Sequence, residues 1–223
     1  MPLPLHRALA ELDLQGDVAS ALQTLVNRGL DQLPLPGHGQ TLQRWQALAA
    51  VAEHDLSLAK LYEGHTDALA ILQELSQPLL AQPRSTWGVW AAEAAGERVL
   101  MRPAEEGGVG RVALSGLKRW CSGAVSVSHG LLTAWHADGR GPQLVAVAMR
   151  QTGVQVHTDA WQAVGMGGSA SVDVAFDAAR AEPVGQPGEY LSRPGFWHGG
   201  AGIAACWHGG ASALVSEIGR AHV

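Results

Sequence analysis

The chain has 223 residues, a formal net charge of −5 and a hydrophobic content of 47%. That length and composition predict one or two domains with a sizeable core, and the acidic balance excludes a basic footprint for nucleic acid. No apolar run reaches the roughly 18 residues that a membrane span needs, and Met1–His6 lacks the charged-then-apolar order of a signal peptide. Cys121 and Cys206 are too few for a disulfide framework or a cysteine zinc site, so we expect a cytoplasmic protein.

The first third of the chain has the 3.6-residue periodicity of helices. In residues 1–32 the periodic apolar positions are Leu9, Leu12, Ala19, Leu22, Leu25 and Val26. Gly29 is expected to end this helix, since glycine suits the left-handed conformation that follows a helix. Residues 33–39 are rich in proline and glycine and are predicted to form a loop.

A long helix is predicted to begin with Thr41 as its N-cap and to reach Tyr62. A further helix is predicted over Asp67–Leu75. His54 and His65 do not have the spacing of metal ligands, so we predict no metal site and favour solvated or hydrogen-bonded histidines.

From residue 84 the pattern changes to short apolar alternations separated by Gly, Pro or Asp. The predicted strands are Thr86–Ala92, Arg111–Leu114, Leu117–Ser122, Leu131–His136, Leu144–Met149, Val154–His157 and Val172–Phe176. Such a series favours a β-sandwich or barrel over residues 84–185. Gln186–Tyr190 is predicted to be a loop, and a helix rich in small residues begins at Phe196. Because each interior glycine costs a helix about 1 kcal/mol relative to alanine, these glycines predict close packing against another helix.

The segment Leu114–Ala124, which reads L-S-G-L-K-R-W-C-S-G-A, is the motif around which the rest of the chain is organised. Gly116 suits a tight turn into a strand, and Trp120 offers a flat apolar face. Ser122 offers a hydroxyl and a backbone N–H as hydrogen-bond partners. The competing interpretation is that Trp120 is a core aromatic and that the glycines only mark hairpins.

This segment resembles the G-x-K-x-(W/F) motif in the middle domain of the acyl-CoA dehydrogenase family of flavoenzymes. Two further segments resemble motifs of the same family in the same order: Val89–Gly96 (V-W-A-A-E-A-A-G) is similar to Y-x-x-T-E-P-x-x-G, and Met166–Asp177 is similar to the closing strands of that domain. Asp55–Leu61 resembles part of the family's N-terminal helices. The resemblance covers residues from about 41 to 216.

The resemblance implies an α+β fold of the acyl-CoA dehydrogenase type. It assigns residues 1–83 to an N-terminal helical domain, 84–185 to a middle β domain on the flavin and acyl-CoA side, and 186–223 to the first helix of an incomplete C-terminal helical bundle. The implied activity is FAD-dependent α,β-dehydrogenation of an acyl-CoA thioester. The implied parent protein is a homo-oligomer, either a dimer or a tetramer.

The same resemblance implies which residues bind the FAD cofactor. They are Trp90, Ala92, Glu93, Trp120 and Ser122, with Trp120 stacking on the flavin and Ser122 contacting its N5 atom. Ala92 replaces the threonine of the family motif, and Ala94 replaces its proline. One side-chain hydrogen bond to the flavin is therefore absent, and backbone N–H groups would have to take its place.

No catalytic base is predicted in this chain. The region around Gly199 and Gly200, where some family members place a glutamate, has no carboxylate, and Glu189 lies in the preceding loop. His198 and His208 are ten residues apart, so they are expected on different sides of a helix. The alternatives are a flavin-dependent monooxygenase of the same fold, or a non-catalytic fragment that binds no cofactor.

The last residues, Glu217–Val223, resemble the translation of a sequencing-adapter oligonucleotide. We expect the native reading to end near Ser216 and the chain to be a fragment of a longer gene product.

Overall fold

The computed structural model describes residues 3–12, 17–104, 110–159 and 161–221. In this part of the chain four α-helices and a 3-10 helix (Pro78–Leu80) precede the first strand; the α-helices are α1 (Leu3–Ala10), α2 (Val18–Asn27), α3 (Thr41–His54) and α4 (Leu56–Glu74). The single helix predicted within residues 1–32 is therefore two helices. Asp17 begins the second one by accepting hydrogen bonds from two first-turn amides, which is the usual role of an N-cap aspartate.

Gly29 ends α2 as predicted. Its φ of +67° is left-handed, and the Leu30 amide donates to the Leu25 carbonyl at 3.0 Å. This bond belongs to the Schellman pattern that satisfies the last carbonyls of a helix.

The boundary between α3 and α4 lies inside the predicted long helix. Asp55 is extended, with a φ of −159°, and its carboxylate accepts a hydrogen bond from the Leu58 amide at 2.7 Å. The helix predicted to reach Tyr62 therefore ends at His54 as α3. The next helix, α4, continues without a break into the region predicted as a separate helix over Asp67–Leu75. The N-cap expected at Thr41 is also wrong by one residue, because Gln40 occupies it without a side-chain bond.

The described part of the chain contains seven strands: β1 (Trp87–Trp90), β2 (Leu100–Pro103), β3 (Val112–Cys121), β4 (His129–His136), β5 (Pro142–Ala148), β6 (Val154–His157) and β7 (Val172–Val184). The strands pair in the order β4–β2–β3–β7–β5, and β5 pairs back with β4, which closes a barrel. In addition β1 runs parallel to β4, and β6 pairs with β7. Of the two predicted architectures, the barrel is confirmed.

The strand β3 differs from its prediction. Arg111–Leu114 and Leu117–Ser122 were expected as two strands, but one strand covers both, so the turn predicted at Gly116 is absent. Gly116 instead has a φ of +127°, and a Cβ there would collide with the carbonyl oxygen of Arg98. The glycine is needed because another backbone segment crosses the strand at this point.

Three apolar cores support these elements. The smallest joins α4 to β1, β4 and β5, and the remaining two are larger. One fills the barrel and includes Leu114, Val145, Val174, Phe176 and Ala179, all nearly or fully buried. The other lies among α1 to α4 and includes Leu22, Leu25, Val51, Leu58 and Tyr62. Among the described helices, none is long and apolar enough to cross a membrane.

Three helices follow the barrel: α5 (Glu189–Ser192), α6 (Phe196–Gly200) and α7 (Gly202–Ala221). The first begins inside the predicted loop Gln186–Tyr190. Helix α7 packs along α3, and a Cβ at Gly209 would collide with the Ala49 backbone, while one at Gly202 would lie 2.9 Å from Leu48. The prediction that glycines in this region serve close helix packing is confirmed.

Candidate flavin site

A β-bulge places Trp120 on the outside of the barrel. Lys118 pairs with Val174 and Cys121 with Val172, so three steps along β3 match two along β7. The extra residue reverses the alternation of the strand, since Lys118 and Cys121 are buried whereas Trp120 is 55% exposed. Trp120 also has a φ of +59°, a conformation that is strained for a bulky side chain. The interpretation of Trp120 as a core aromatic is therefore wrong.

Serine hydroxyls form a short chain next to this bulge. The hydroxyls of Ser122 and Ser171 share a hydrogen bond of 2.7 Å, and that of Ser171 shares one of 3.2 Å with Ser169. The Gly123 amide donates to the Ser169 carbonyl at 2.8 Å, which fixes the two segments side by side. Ser122 is half-buried and follows the end of β3, two residues after Trp120, so a flat ligand that packs on Trp120 has a hydroxyl group close by in the sequence.

Trp90 lies inside the barrel and supports Ser122 from below. Its ring is 3% exposed, and its indole Nε1 donates to the Ser122 carbonyl at 3.1 Å. Gly88 and Gly130 leave the space for this ring, since a Cβ at either would collide with it. Ala92, two residues further along, is exposed. The contact of a flavin with the backbone of Trp90 and Ala92 stays a prediction.

The loop of residues 91–98 is tied to the barrel by Glu93. Its carboxylate accepts from the Lys118 ammonium at 2.9 Å, from the Thr133 hydroxyl and, at 3.4 Å, from the Trp135 indole. Lys118 is only 3% exposed, and it also donates to the Thr133 carbonyl and hydroxyl, so its three donors are satisfied. Partial burial raises the pKa of Glu93, but hydrogen bonds from Thr133 and Lys118 outweigh it and hold the pKa below its usual value.

A second clamp holds the far end of the same loop. Arg119 forms a bidentate pair with Glu97, with one N–O distance of 2.7 Å, and contacts Asp173 at 2.9 Å. Beside it, the Arg98 backbone rests on Gly116. Lys118 and Arg119, which are consecutive in β3, thus bind Glu93 and Glu97, the two acidic residues of the loop. The carboxylate of Glu93 serves this support, and the predicted contact of the Glu93 backbone with the cofactor stays a prediction.

An open groove of about 640 Å³ lies between the start of α4 and α7, and we call it the α4–α7 groove. The side chains that line it are mostly apolar and include Ala52, Leu56, Ala59, Met166, Ile203, Trp207, Ala211 and Leu214. Its interior ion pair joins Lys60 Nζ and Glu63 Oε2 at 3.0 Å. Burial raises the pKa of the Cys206 thiol, which also lines the groove, to about 12.

Lys60 connects this groove with the bulge. It also borders a narrow cleft whose other walls include Leu61, Gly88, Val89 and Ser122. The groove and the cleft that Ser122 lines therefore have one wall in common.

The two histidines considered in the sequence, His54 and His65, do not belong to a metal site in the described residues. His65 is fully buried, and its Nε2 lies 3.1 Å from an Asp31 carboxylate oxygen, so it is one of the hydrogen-bonded histidines that the sequence favours. No group of three His, Cys, Asp or Glu residues in the described ranges could hold a metal ion. Glu189 caps its own turn by accepting from the Gln186 amide at 2.7 Å.

No protein-family model and no curated protein sequence matches the chain. Its fold is similar to that of the methanesulfinate monooxygenase MsuC from Pseudomonas fluorescens, with a TM-score of 0.77 and 20% sequence identity. The match covers 99% of this chain and 63% of the MsuC chain. It is also similar to TdsC from Paenibacillus sp. A11-2 in complex with FMN and indole, with a TM-score of 0.72, 22% identity, and coverage of 97% and 61%.

A third similar structure is the nitrososynthase from Micromonospora carbonacea var. africana, with a TM-score of 0.67, 20% identity, and coverage of 94% and 60%. The chain thus spans about 60% of the length of these proteins. The cofactor bound in TdsC is FMN rather than the predicted FAD. On these likenesses the chain has the acyl-CoA dehydrogenase fold, which these flavin enzymes share.

Proposed function

We propose that the chain is the flavin-facing part of a flavin-dependent monooxygenase that uses FMN. The observation that carries the proposal is Trp120, an exposed aromatic ring on a strained bulge, two residues before Ser122, whose hydroxyl shares a hydrogen bond with that of Ser171. Similar folds in the monooxygenases MsuC and TdsC, the latter with FMN bound, favour this reading over acyl-CoA dehydrogenation.

The residues present fit a flavin. Trp120 would stack on the ring system, the Ser122 hydroxyl would hydrogen-bond to its heteroatoms, and backbone amides near Ala92 would serve its polar edge in place of the missing threonine hydroxyl. A reduced flavin bound here would supply the electrons with which one atom of O₂ enters a substrate and the other leaves as water.

The chain's own contribution is to hold these groups in place before the cofactor arrives. The Lys118–Glu93 and Arg119–Glu97 pairs fix the loop of residues 91–98 against β3. Trp90 holds the Ser122 carbonyl and so orients the strand that carries the hydroxyl. Preorganised donors of this kind cost little reorganisation when they bind a ligand.

Acyl-CoA dehydrogenation is the second candidate, because the three sequence motifs resemble that family. This reaction needs a base to remove the α proton of the thioester, and residues 196–216 contain no carboxylate. Glu63 lines the groove, but its carboxylate is already paired with Lys60. Glu53 and Asp55, which also line the groove, would disfavour a polyanionic CoA ester.

Flavin titration of the 223-residue chain tests the proposal. We expect quenching of flavin fluorescence by the chain, with FMN bound at least as tightly as FAD. Trp120→Ala and Ser122→Ala should each weaken FMN binding, by about two- to tenfold for the loss of one stacking or hydrogen-bonding contact. Trp197→Ala is the matched control, because Trp197 is 80% exposed and lies on α6, away from β3.

Absence of flavin binding, or equal affinity of the wild type and both site variants, would refute the assignment of this surface. The two reactions are then separated with the flavin-loaded chain. Anaerobic bleaching of the flavin by an acyl-CoA would support dehydrogenation instead. Oxygen-dependent product formation after chemical reduction of the flavin would support the monooxygenase.

A further inference from the structure

We infer that the α4–α7 groove binds an uncharged or amine-bearing aromatic molecule and discriminates against carboxylates. This inference rests on the proposed function and names the substrate class of that site. The first reason is size, since about 640 Å³ falls in the range of about 300–1,000 Å³ typical of small-molecule pockets.

The second reason is the character of the groove walls. Leu56, Met166, Trp207 and Leu214 line the groove and are exposed, with Trp207 74% exposed. A flat indole ring and a thioether are surfaces on which aromatic molecules pack well. An occupant with a planar apolar ring would cover these side chains, whereas a small polar ion would leave them in water.

The third reason is charge. The ammonium of Lys60 and the carboxylate of Glu63 form a pair at 3.0 Å, so together they contribute no net charge. Glu53, Asp55 and Glu217 also line the groove. Glu217 is paired with Arg220 at 3.0 Å, so Glu53 and Asp55 add two negative charges. Among the described lining residues Lys60 is the sole lysine or arginine, so the groove as a whole is acidic. An acidic groove repels anionic ligands and attracts cations.

The location of Lys60 connects the groove to the candidate flavin site. Lys60 borders the groove and also the narrow cleft that Ser122 lines. The groove and the cleft thus share Lys60 as a wall, and Met166, which lines the groove, is three residues before Ser169 of the serine chain. This placement is what a substrate of a flavin at Trp120 requires.

The test uses three ligands with one ring system and different charges: indole, tryptamine and indole-3-acetate. Their affinities for the 223-residue chain without flavin are measured by equilibrium dialysis at neutral pH and low salt. We expect indole and tryptamine to bind at least tenfold more tightly than indole-3-acetate. Raising the salt concentration should reduce this difference, because exposed charges are screened.

Charge variants test the cause of the selectivity. Glu53→Lys reverses a charge on the groove wall and should raise the affinity for indole-3-acetate at least threefold. Glu182→Lys makes the same change at an exposed site on β7 that does not line the groove, and should leave all three affinities unchanged. An equal effect of both variants would overturn the charge argument.

Filling variants test the location. Ala211 is an exposed groove residue on α7, so Ala211→Trp should abolish binding of indole, whereas Ala204→Trp on the same helix but outside the groove lining should not. Equal affinity for the three ligands, no binding at all, or insensitivity to Ala211→Trp would overturn the inference. So would a dimer that Ala211→Trp dissociates, because a second copy would then occupy the groove.

The flavin titration is independent of these measurements. Binding of FMN without selective indole binding would overturn the groove assignment alone. Selective indole binding without FMN binding would overturn the proposed function and leave the groove as a ligand site.

Discussion

The ion pair between Lys118 and Glu93 leads to a prediction about asymmetry. Lys118 is 3% exposed, whereas the side chain of Glu93 is 35% exposed. Removing either charge leaves its partner alone, but in different surroundings. We therefore expect Glu93→Gln to destabilise the chain more than Lys118→Met does.

The magnitudes follow from burial. In Glu93→Gln the buried ammonium loses its counter-ion and keeps only the Thr133 oxygens and a neutral amide, and an uncompensated buried charge typically costs about 3–5 kcal/mol. In Lys118→Met the side-chain volume is nearly conserved, and the Glu93 carboxylate keeps the donors of Thr133 and Trp135 and reaches water. Loss of its charged hydrogen bond should then cost about 1–2 kcal/mol.

Urea denaturation followed by circular dichroism measures both free energies of unfolding. The double variant Glu93→Gln/Lys118→Met should be more stable than Glu93→Gln alone, because it no longer contains an isolated buried charge. Glu182→Gln serves as a control, since its pair with Arg111 is exposed and is expected to contribute less than about 1 kcal/mol. Equal costs for the two single variants, or a larger cost for Lys118→Met, would refute the reasoning.

Three further predictions concern strain, packing and pH. Trp120→Gly should raise the free energy of unfolding by about 1 kcal/mol, because glycine adopts a φ of +59° without strain, and it should weaken FMN binding. A lower melting temperature of the variant in thermal unfolding would contradict this. Gly209→Ala should cost about 3 kcal/mol or more through collision with Ala49, whereas Gly219→Ala, with open space around it, should be stabilising by up to about 1 kcal/mol. Because folding lowers the pKa of Glu93, the unfolded chain binds more protons, so the stability from this group is lost as pH falls below the ordinary glutamate value of about 4.3. Glu93→Gln should therefore reduce the loss of stability at acidic pH. An acid denaturation curve that is the same for the variant and the wild type would contradict this.

Local signals account for the features that were predicted correctly. Gly29 ends α2 because a glycine there accepts the left-handed conformation without a steric cost. The glycines of α7 indicated a close partner because their cost within a helix needs compensation, and α3 is that partner. Glu93 and Lys118 both stand in segments that resemble the family's motifs, but neither segment by itself indicates the ion pair that the two residues form.

The features that were missed depend on contacts between distant residues. The start of a new helix at Leu56 depends on whether the Asp55 carboxylate caps it, and an aspartate within an apolar helical stripe does not reveal this. β2 is short, ends in Pro103 and has one buried residue, so it carries little strand signal of its own. It becomes a strand because β3 and β4 provide partners on both sides.

Local sequence patterns are enough to predict the order of helices before strands, the motif that contains Trp120 and Ser122, and the reason for the glycines in α7. These properties depend on residues within one or two turns of each other. Only tertiary contacts place Trp120 outside the barrel, pair Lys118 with Glu93 and form the acidic groove between α4 and α7. A bulge exists only relative to the partner strand, and a buried ammonium such as that of Lys118 contacts its counter-ion only when the barrel has closed.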